Sequence, residues 1–179
     1  MQKFYTMTIA GCERNLPICP INDKLDIAGF VMFGDNEITE ASAKALIEKC
    51  PEHDVIITAE SKGIPLAYEL ARIGCRKYVV ARKGIKAYMT KPISVQVKSI
   101  TTANVQTLFL SEEDCETLKN KRILIVDDVI STGESLAAIE KLVEEIGGNV
   151  VGKAAVLAEG DAKDRTDIIF LEPLPLFFK

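Results

Sequence analysis

The amino-acid sequence predicts an α/β protein in which a mostly parallel sheet carries helices on both faces and a small β-rich hood precedes it. Three observations lead there. Short apolar runs at 54–58, 77–81, 122–126 and 150–157 alternate with stretches of helical period. Runs that are apolar at consecutive positions suit strands buried on both faces, and strand–helix–strand repetition makes those strands parallel. Residues 3–34 break this rhythm with polar–apolar alternation, so they are expected to cap the sheet rather than join it. The 179 residues, 47% of them apolar, have the length of one domain, with the hood over 1–36 and an α/β core over 37–179.

Each element has its own local reason. Residues 4–10 alternate, 16–20 form a proline-bounded kink, and 25–33 read as a second strand closed by Gly34 and Asp35. A helix over 37–50 places Ile38, Ala41, Ala45 and Leu46 on one face and stops at Pro51. A strand at 54–58, a helix at 64–73 and a strand at 77–81 follow. Lysines, a tyrosine and a proline make 84–92 a loop. Alternation at 93–98 and 105–110 predicts a β-ribbon whose tip, 99–104, is expected to be mobile, so that 84–104 forms one mobile loop. Ser111 and Asp114 have capping-box spacing for a short helix to 118. A strand at 122–126 leads to a helix over 133–146, ended by Gly147 and Gly148. A long strand at 150–157, a last strand at 167–171 and an extended end through Pro173 and Pro175 complete the chain.

Composition narrows the function. A net charge of −4 disfavours a general nucleic-acid or anionic-membrane binder, which needs a cationic field. No apolar run approaches the roughly 20 residues of a membrane span, and the first residues lack the continuous core of a signal peptide. Five cysteines without a C-x-x-C pair and a single histidine, His53, leave few zinc ligands and little room for Ser-His-Asp or Cys-His catalysis. The expectation is a soluble, cytoplasmic protein with reduced thiols.

The strongest motif is ILIVDDVISTGES at 123–135. Four apolar residues make a buried strand, Asp127 and Asp128 stand at its expected carboxyl end, and a short loop opens directly into a helix. Small residues and Gly133 let backbone N–H groups approach an anion, the hydroxyls of Ser131, Thr132 and Ser135 add donors, and the helix N-terminus contributes roughly half a positive charge. Two carboxylates beside that cradle would repel the phosphate itself. They suit ribose hydroxyls and, directly or through water, Mg²⁺. The Walker pattern G-x-x-x-x-G-K-[ST] and the Rossmann pattern G-x-G-x-x-G are both missing.

The segment VDDVISTGES resembles the phosphoribosyl-pyrophosphate (PRPP) signature of the type I phosphoribosyltransferases. The resemblance implies that Asp127 and Asp128 face the ribose and the metal, and that Ser131, Thr132, Gly133, Glu134 and Ser135 hold the 5-phosphate. Glu134 stands where the family has a small residue or arginine, so its carboxylate should aim away from the anion. Glu60, Ser61, Lys62 and Gly63 are similar to the family's pyrophosphate loop, with Lys62 in place of an arginine. Arg82, Lys83 and Lys86 are similar to a basic stretch of the adenine enzymes that reaches pyrophosphate, and the closing segment FLEPLPLF also resembles theirs. Val129, Ile130 and Glu159 are the expected base contacts.

Two departures bear on the base. The tip 101–104 lacks the acidic residue of the adenine enzymes, and Glu159 stands where 6-oxopurine enzymes often have a lysine nearby. The resemblance therefore implies Mg²⁺-dependent transfer of phosphoribose from PRPP to a nucleobase, adenine first, by a homodimer. Asp127, Asp128, Arg82 and Lys83 carry the reaction in this reading. A 6-oxopurine or orotate enzyme and a non-catalytic PRPP-sensing regulator remain as alternatives.

Overall fold

The computed structural model describes residues 3–98 and 105–179, so the expected tip at 99–104 lies outside the described residues. The hood begins with β1 (Phe4–Ile9) and β2 (Cys12–Asn22), an antiparallel pair, followed by β3 (Leu25–Ala28). The kink expected at 16–20 is instead part of β2. Its residues up to Pro17 pair with β1, and from Ile18 onward they pair with β3, with an irregularity between Pro20 and Asn22. The prolines thus fall at a hand-over and beside a bulge, places where a strand tolerates a missing donor.

The second hood strand is shorter than the alternation over 25–33 suggests. After Ala28 the chain leaves the ladder, yet Phe30 and Met32 stay buried while Val31 and Phe33 are exposed. The free side of β3 is taken by the C-terminal end of the chain.

α1 (Asn36–Ile47) begins at Asp35, whose carboxylate accepts the Ile38 N–H at 3.2 Å. Arg14 of β2 grips the same carboxylate through Nε at 2.7 Å and Nη2 at 3.0 Å, fastening the hood to the helix. β4 (Val55–Ala59), α2 (Ile64–Ile73) and β5 (Tyr78–Ala81) follow, then the ribbon β6 (Ile93–Lys98) and β7 (Val105–Leu110). In α3 (Glu112–Leu118) the predicted capping box between Ser111 and Asp114 is formed in both directions. β8 (Arg122–Ile130), α4 (Glu134–Glu145), β9 (Asn149–Glu159), a 3-10 turn (Gly160–Asp164), β10 (Ile169–Leu174) and β11 (Leu176–Phe178) complete the fold.

Five parallel strands lie in the order β10-β9-β8-β4-β5, and the hood sheet runs β1-β2-β3-β11. The apolar runs serve both faces at once. Ile56, Leu124 and Val126 pack toward α1, α2 and the hood, while Ile57, Ile123 and Ile125 pack toward α3, α4 and the ribbon. The extended end of the chain is a strand, because Leu176 and Phe178 pair with Ile27 and Leu25.

β8 outlasts its apolar run by four residues. Its ladder with β4 ends at Ile57 and Ile125, but its ladder with β9 continues to Ile130 and Ala158. Asp127 and Asp128 therefore sit within the strand, not beyond its end. They stand where β8 has lost β4 as a neighbour, which is also where the strand order reverses, the place at which open α/β sheets bind ligands.

The Asp35 junction makes a testable statement. Arg14, followed by the Ile38 N–H, holds the Asp35 carboxyl below its usual range, against burial acting the other way. A depressed folded-state value stabilises above the unfolded value, and that stabilisation is lost as pH falls through the folded one. Asp35→Ala is expected to lower stability by about 1–2 kcal/mol at neutral pH. The deficit against wild type should shrink in acid, as urea denaturation at several pH values will show. A deficit independent of pH would disconnect the junction from that carboxylate.

Candidate active site

The turn from β4 to α2 crosses the gap beside β8, and Gly63 is what lets it pass. A Cβ at 63 would lie 2.5 Å from Thr58 Oγ1, 2.9 Å from Asp127 Oδ1 and 3.1 Å from Asp127 Cα. One residue earlier, Lys62 Nζ donates to Asp128 Oδ2 at 2.9 Å. Asp128 is only 2% exposed and Lys62 is half exposed, so the lysine spans from solvent to a buried carboxylate. The Asp127 carboxylate accepts the Asp128 N–H at 2.9 Å. Burial, then the charge of Asp128, pushes the Asp127 carboxyl well above the ordinary aspartate range, and Lys62 opposes the shift. Glu159, at the end of β9, is likewise raised by burial and opposed by Lys62. One lysine thus lies in the field of three carboxyl groups.

A second cluster lies at the ends of β4 and β5. Glu60 Oε2 accepts the Lys83 N–H at 3.0 Å, and Glu60 Oε1 lies 3.3 Å from Arg82 Nη2 and 3.6 Å from Lys86 Nζ. The backbone of Arg82 exchanges two hydrogen bonds with Phe109 of β7, at 2.9 and 2.8 Å, which fixes the basic stretch to the ribbon. Arg82 Nε is buried and finds no acceptor among the described residues. Glu60 therefore meets the cations of the cluster, and in this structure it is their counter-ion. Ser61 precedes Lys62 in the same turn, which is why both clusters share one short segment.

Beyond β8, residues 131–133 turn and α4 begins at Glu134. Gly133 adopts φ 79°, a conformation that costs other residues Cβ strain. Ser131, Thr132, Gly133, Glu134 and Ser135 line a cleft of about 50 Å³ with Asp127, Val129 and Ile130 at its base. Every sequence-predicted site residue thus lies at the carboxyl edge of the parallel sheet, and Lys62 with Asp128, and Gly63 with Asp127, join the two halves. Among the described residues no three potential metal-ligating side chains converge. Two further residues stand at this edge, and only Arg165 escaped the sequence reading. Thr58 abuts Gly63 from within β4, and Arg165 packs on Gly133 from the segment after β9. Thr58 opens the segment that resembles the pyrophosphate loop, whereas Arg165 belongs to no motif and Gly133 is the local signal of a close neighbour there.

Residues 32–172, more than half of the chain, match the phosphoribosyl transferase domain. The chain belongs to the phosphoribosyltransferase family. It is 31% identical to the hypoxanthine/guanine phosphoribosyltransferase of Methanococcus voltae, covering 86% of this chain and 75% of that protein. It is 32% identical to the adenine phosphoribosyltransferase of Brachyspira hyodysenteriae over 64% of this chain and 65% of that one. It is also 33% identical to the purine biosynthesis transcriptional repressor of Bacillus subtilis, over 63% of this chain and 39% of the repressor. The fold is similar to that of adenine phosphoribosyltransferase from Thermoanaerobacter pseudethanolicus, with a TM-score of 0.65 at 22% identity, covering 96% and 95% of the two chains. No helix among the described residues of this phosphoribosyltransferase is long and apolar enough to cross a membrane.

The close approach at Gly63 predicts a steric penalty with no backbone strain, because its φ of −75° suits any residue. Gly63→Ala must displace the Thr58 and Asp127 side chains or the turn, at about 1–3 kcal/mol in an otherwise close-packed site. Urea denaturation should register that loss; an unchanged midpoint would mean that the turn does not bear on β8 in solution.

Proposed function

We propose that this phosphoribosyltransferase moves phosphoribose from PRPP to a purine, adenine first, releasing pyrophosphate. The observation that carries the reading is the convergence at one gap in the sheet of a phosphate-type loop, a pair of buried carboxyls and a basic cluster. A base nitrogen forms a bond to the anomeric carbon as the bond from that carbon to pyrophosphate breaks, the proton of that nitrogen passes to water or to the departing pyrophosphate, and the charge that moves is met by groups already in place. Ser131 to Ser135 receive the 5-phosphate at the α4 N-terminus. Asp127 and Asp128 fix the ribose hydroxyls. Lys62, Arg82, Lys83 and Lys86 neutralise the departing pyrophosphate, and Glu60 holds Arg82 and Lys86 in place until it arrives.

Mg²⁺ fits this donor set. Two adjacent carboxyls, with no third ligating side chain converging on them among the described residues, suit a hard octahedral ion that keeps several waters and takes its remaining oxygens from substrate. Asp127 and Asp128 would hold it, directly or through water, and when bound it adds positive charge beside the pyrophosphate. The homodimer belongs to the same reading. Tyr68 and Tyr78, edge-to-face at 6.2 Å, stand exposed beside the unpaired edge of β5 and offer apolar surface to a second copy.

Glu159 supports an aminopurine, since an ionised carboxylate accepts a hydrogen bond from an exocyclic amino group. The same residue favours a second reading. Burial raises its pKa, and a neutral Glu159 would donate to a 6-oxo group, as the likeness to hypoxanthine/guanine enzymes suggests. Pyrophosphate release from PRPP and Mg²⁺, with adenine, hypoxanthine, guanine, xanthine and orotate offered separately, decides between them. Release with adenine is expected. Release with a 6-oxopurine or orotate alone transfers the assignment to that base. PRPP binding without release for any base would instead make the protein a sensor, as the likeness to the repressor allows.

The carboxyl pair gives a sharper test. Asp127→Asn and Asp128→Asn keep volume and one acceptor oxygen each while removing the charge, so circular dichroism should stay native. Turnover of each is expected to fall about 100-fold or more. Wild-type turnover in the double variant would refute the role given to the pair.

A further inference from the structure

The phosphate loop has no cation of its own. Residues 131–135 are Ser, Thr, Gly, Glu and Ser, and the cleft they line adds Asp127. A helix N-terminus supplies only about half a charge, whereas a phosphate monoester brings roughly −1.5 to −2 at neutral pH. The structure delivers a cation to this loop from elsewhere. Arg165 follows the 3-10 turn after β9, and its Nη1 atom fills the space that a side chain at 133 would need.

That guanidinium is held in place. Its Nε and Nη2 donate to Asp167 at 2.9 and 2.7 Å. Lys153 Nζ donates to the same carboxylate at 2.6 Å and to Glu140 at 2.8 Å, and Glu140 belongs to α4. The bidentate fork takes two of the three guanidinium nitrogens and turns the third, Nη1, toward Gly133. A planar group is needed for this, because a lysine cannot fork onto Asp167 and reach the loop at once. Lys153 and Arg165 together balance Glu140 and Asp167, so the network is neutral as a whole and the part of it turned to the loop is the positive Nη1 end of Arg165.

We propose that Arg165 is a positioning residue of the phosphate site: it braces the loop at Gly133 and supplies the positive charge that the loop's own residues lack. The inference rests on the reading of 131–135 as a phosphate loop and extends it to a residue 30 positions away in the chain.

The test uses the full chain and two probes, ribose 5-phosphate for the loop and pyrophosphate for the basic cluster, by calorimetry. Arg165→Ala and Arg165→Gln are expected to weaken ribose 5-phosphate about tenfold and to flatten its salt dependence, with pyrophosphate affinity unchanged. In turnover, KM for PRPP should rise while kcat holds, and Arg165→Lys should restore part of the loss. Should the alanine variant fail to fold, the glutamine and lysine variants give the same reading, with thermal melts as the check. Equal loss for both probes would show a merely structural brace and overturn the proposal, as would wild-type affinity for ribose 5-phosphate in the variants. Wild-type protein that binds pyrophosphate but no ribose 5-phosphate would overturn the phosphate-loop reading itself.

Discussion

The site depends on a single buried charge, that of Asp128. A carboxylate with 2% exposure needs a partner, because burying it alone costs far more than any ordinary contact returns. Lys62 supplies the partner from a half-exposed position, so the lysine gives up little hydration while the aspartate gains its counter-charge. To reach it, the turn after β4 must lie against β8, and the missing side chain at Gly63 makes room for that contact. The same contact closes the gap left when β4 stops pairing with β8 at Ile125. Fold and site are one problem here: the sheet opens where the strand order reverses, and the Lys62–Asp128 pair bridges the opening.

Three more cations follow the same pattern. Arg82 and Lys86 approach Glu60, and Arg165 forks onto Asp167. Each cation is thus oriented by a carboxylate before any ligand arrives, which places its donors without reorganisation when charge develops. The arrangement also limits the free positive field, in keeping with a chain of net charge −4. On the proposed reading, an incoming polyanion is recognised by geometry, by N–H groups and aimed guanidinium groups, more than by bulk attraction.

Much of this was legible in the sequence because it is local. The loop after β8 announces itself through small residues beside a helix start, and the apolar runs announce a sheet covered on both faces. What the sequence hid is non-local. β8 continues to Ile130 because β9 pairs with it, and no period within 123–135 records that partner. β2 runs through Pro17 and Pro20 because two different strands share it, one on each side of Ile18. β11 becomes a strand only by meeting β3, near the other end of the chain. Arg165 is silent for the same reason: its neighbour Gly133 is close in space, and a lone arginine after a 3-10 turn has no pattern. The tip of the ribbon, where the adenine enzymes carry an acidic residue, lies outside the described residues.

On the proposed reading, base choice is tied to this electrostatic arrangement. Glu159 and Asp127 are both raised by burial, and Lys62 opposes both shifts while its own hydrogen bond goes to Asp128. An ionised Glu159 accepts a hydrogen bond from an amino group and a neutral one donates to an oxo group, so its protonation state sets the sense of recognition. That state depends on how much of the Lys62 charge reaches it. An anion drawn to Lys62 offsets part of this charge and favours the neutral form of Glu159, whereas a cation beside Asp127 and Asp128 favours the ionised form. Glu159 and the Asp127–Asp128 pair are therefore coupled through one lysine, and on the proposed reading that coupling links the base to the sugar and pyrophosphate.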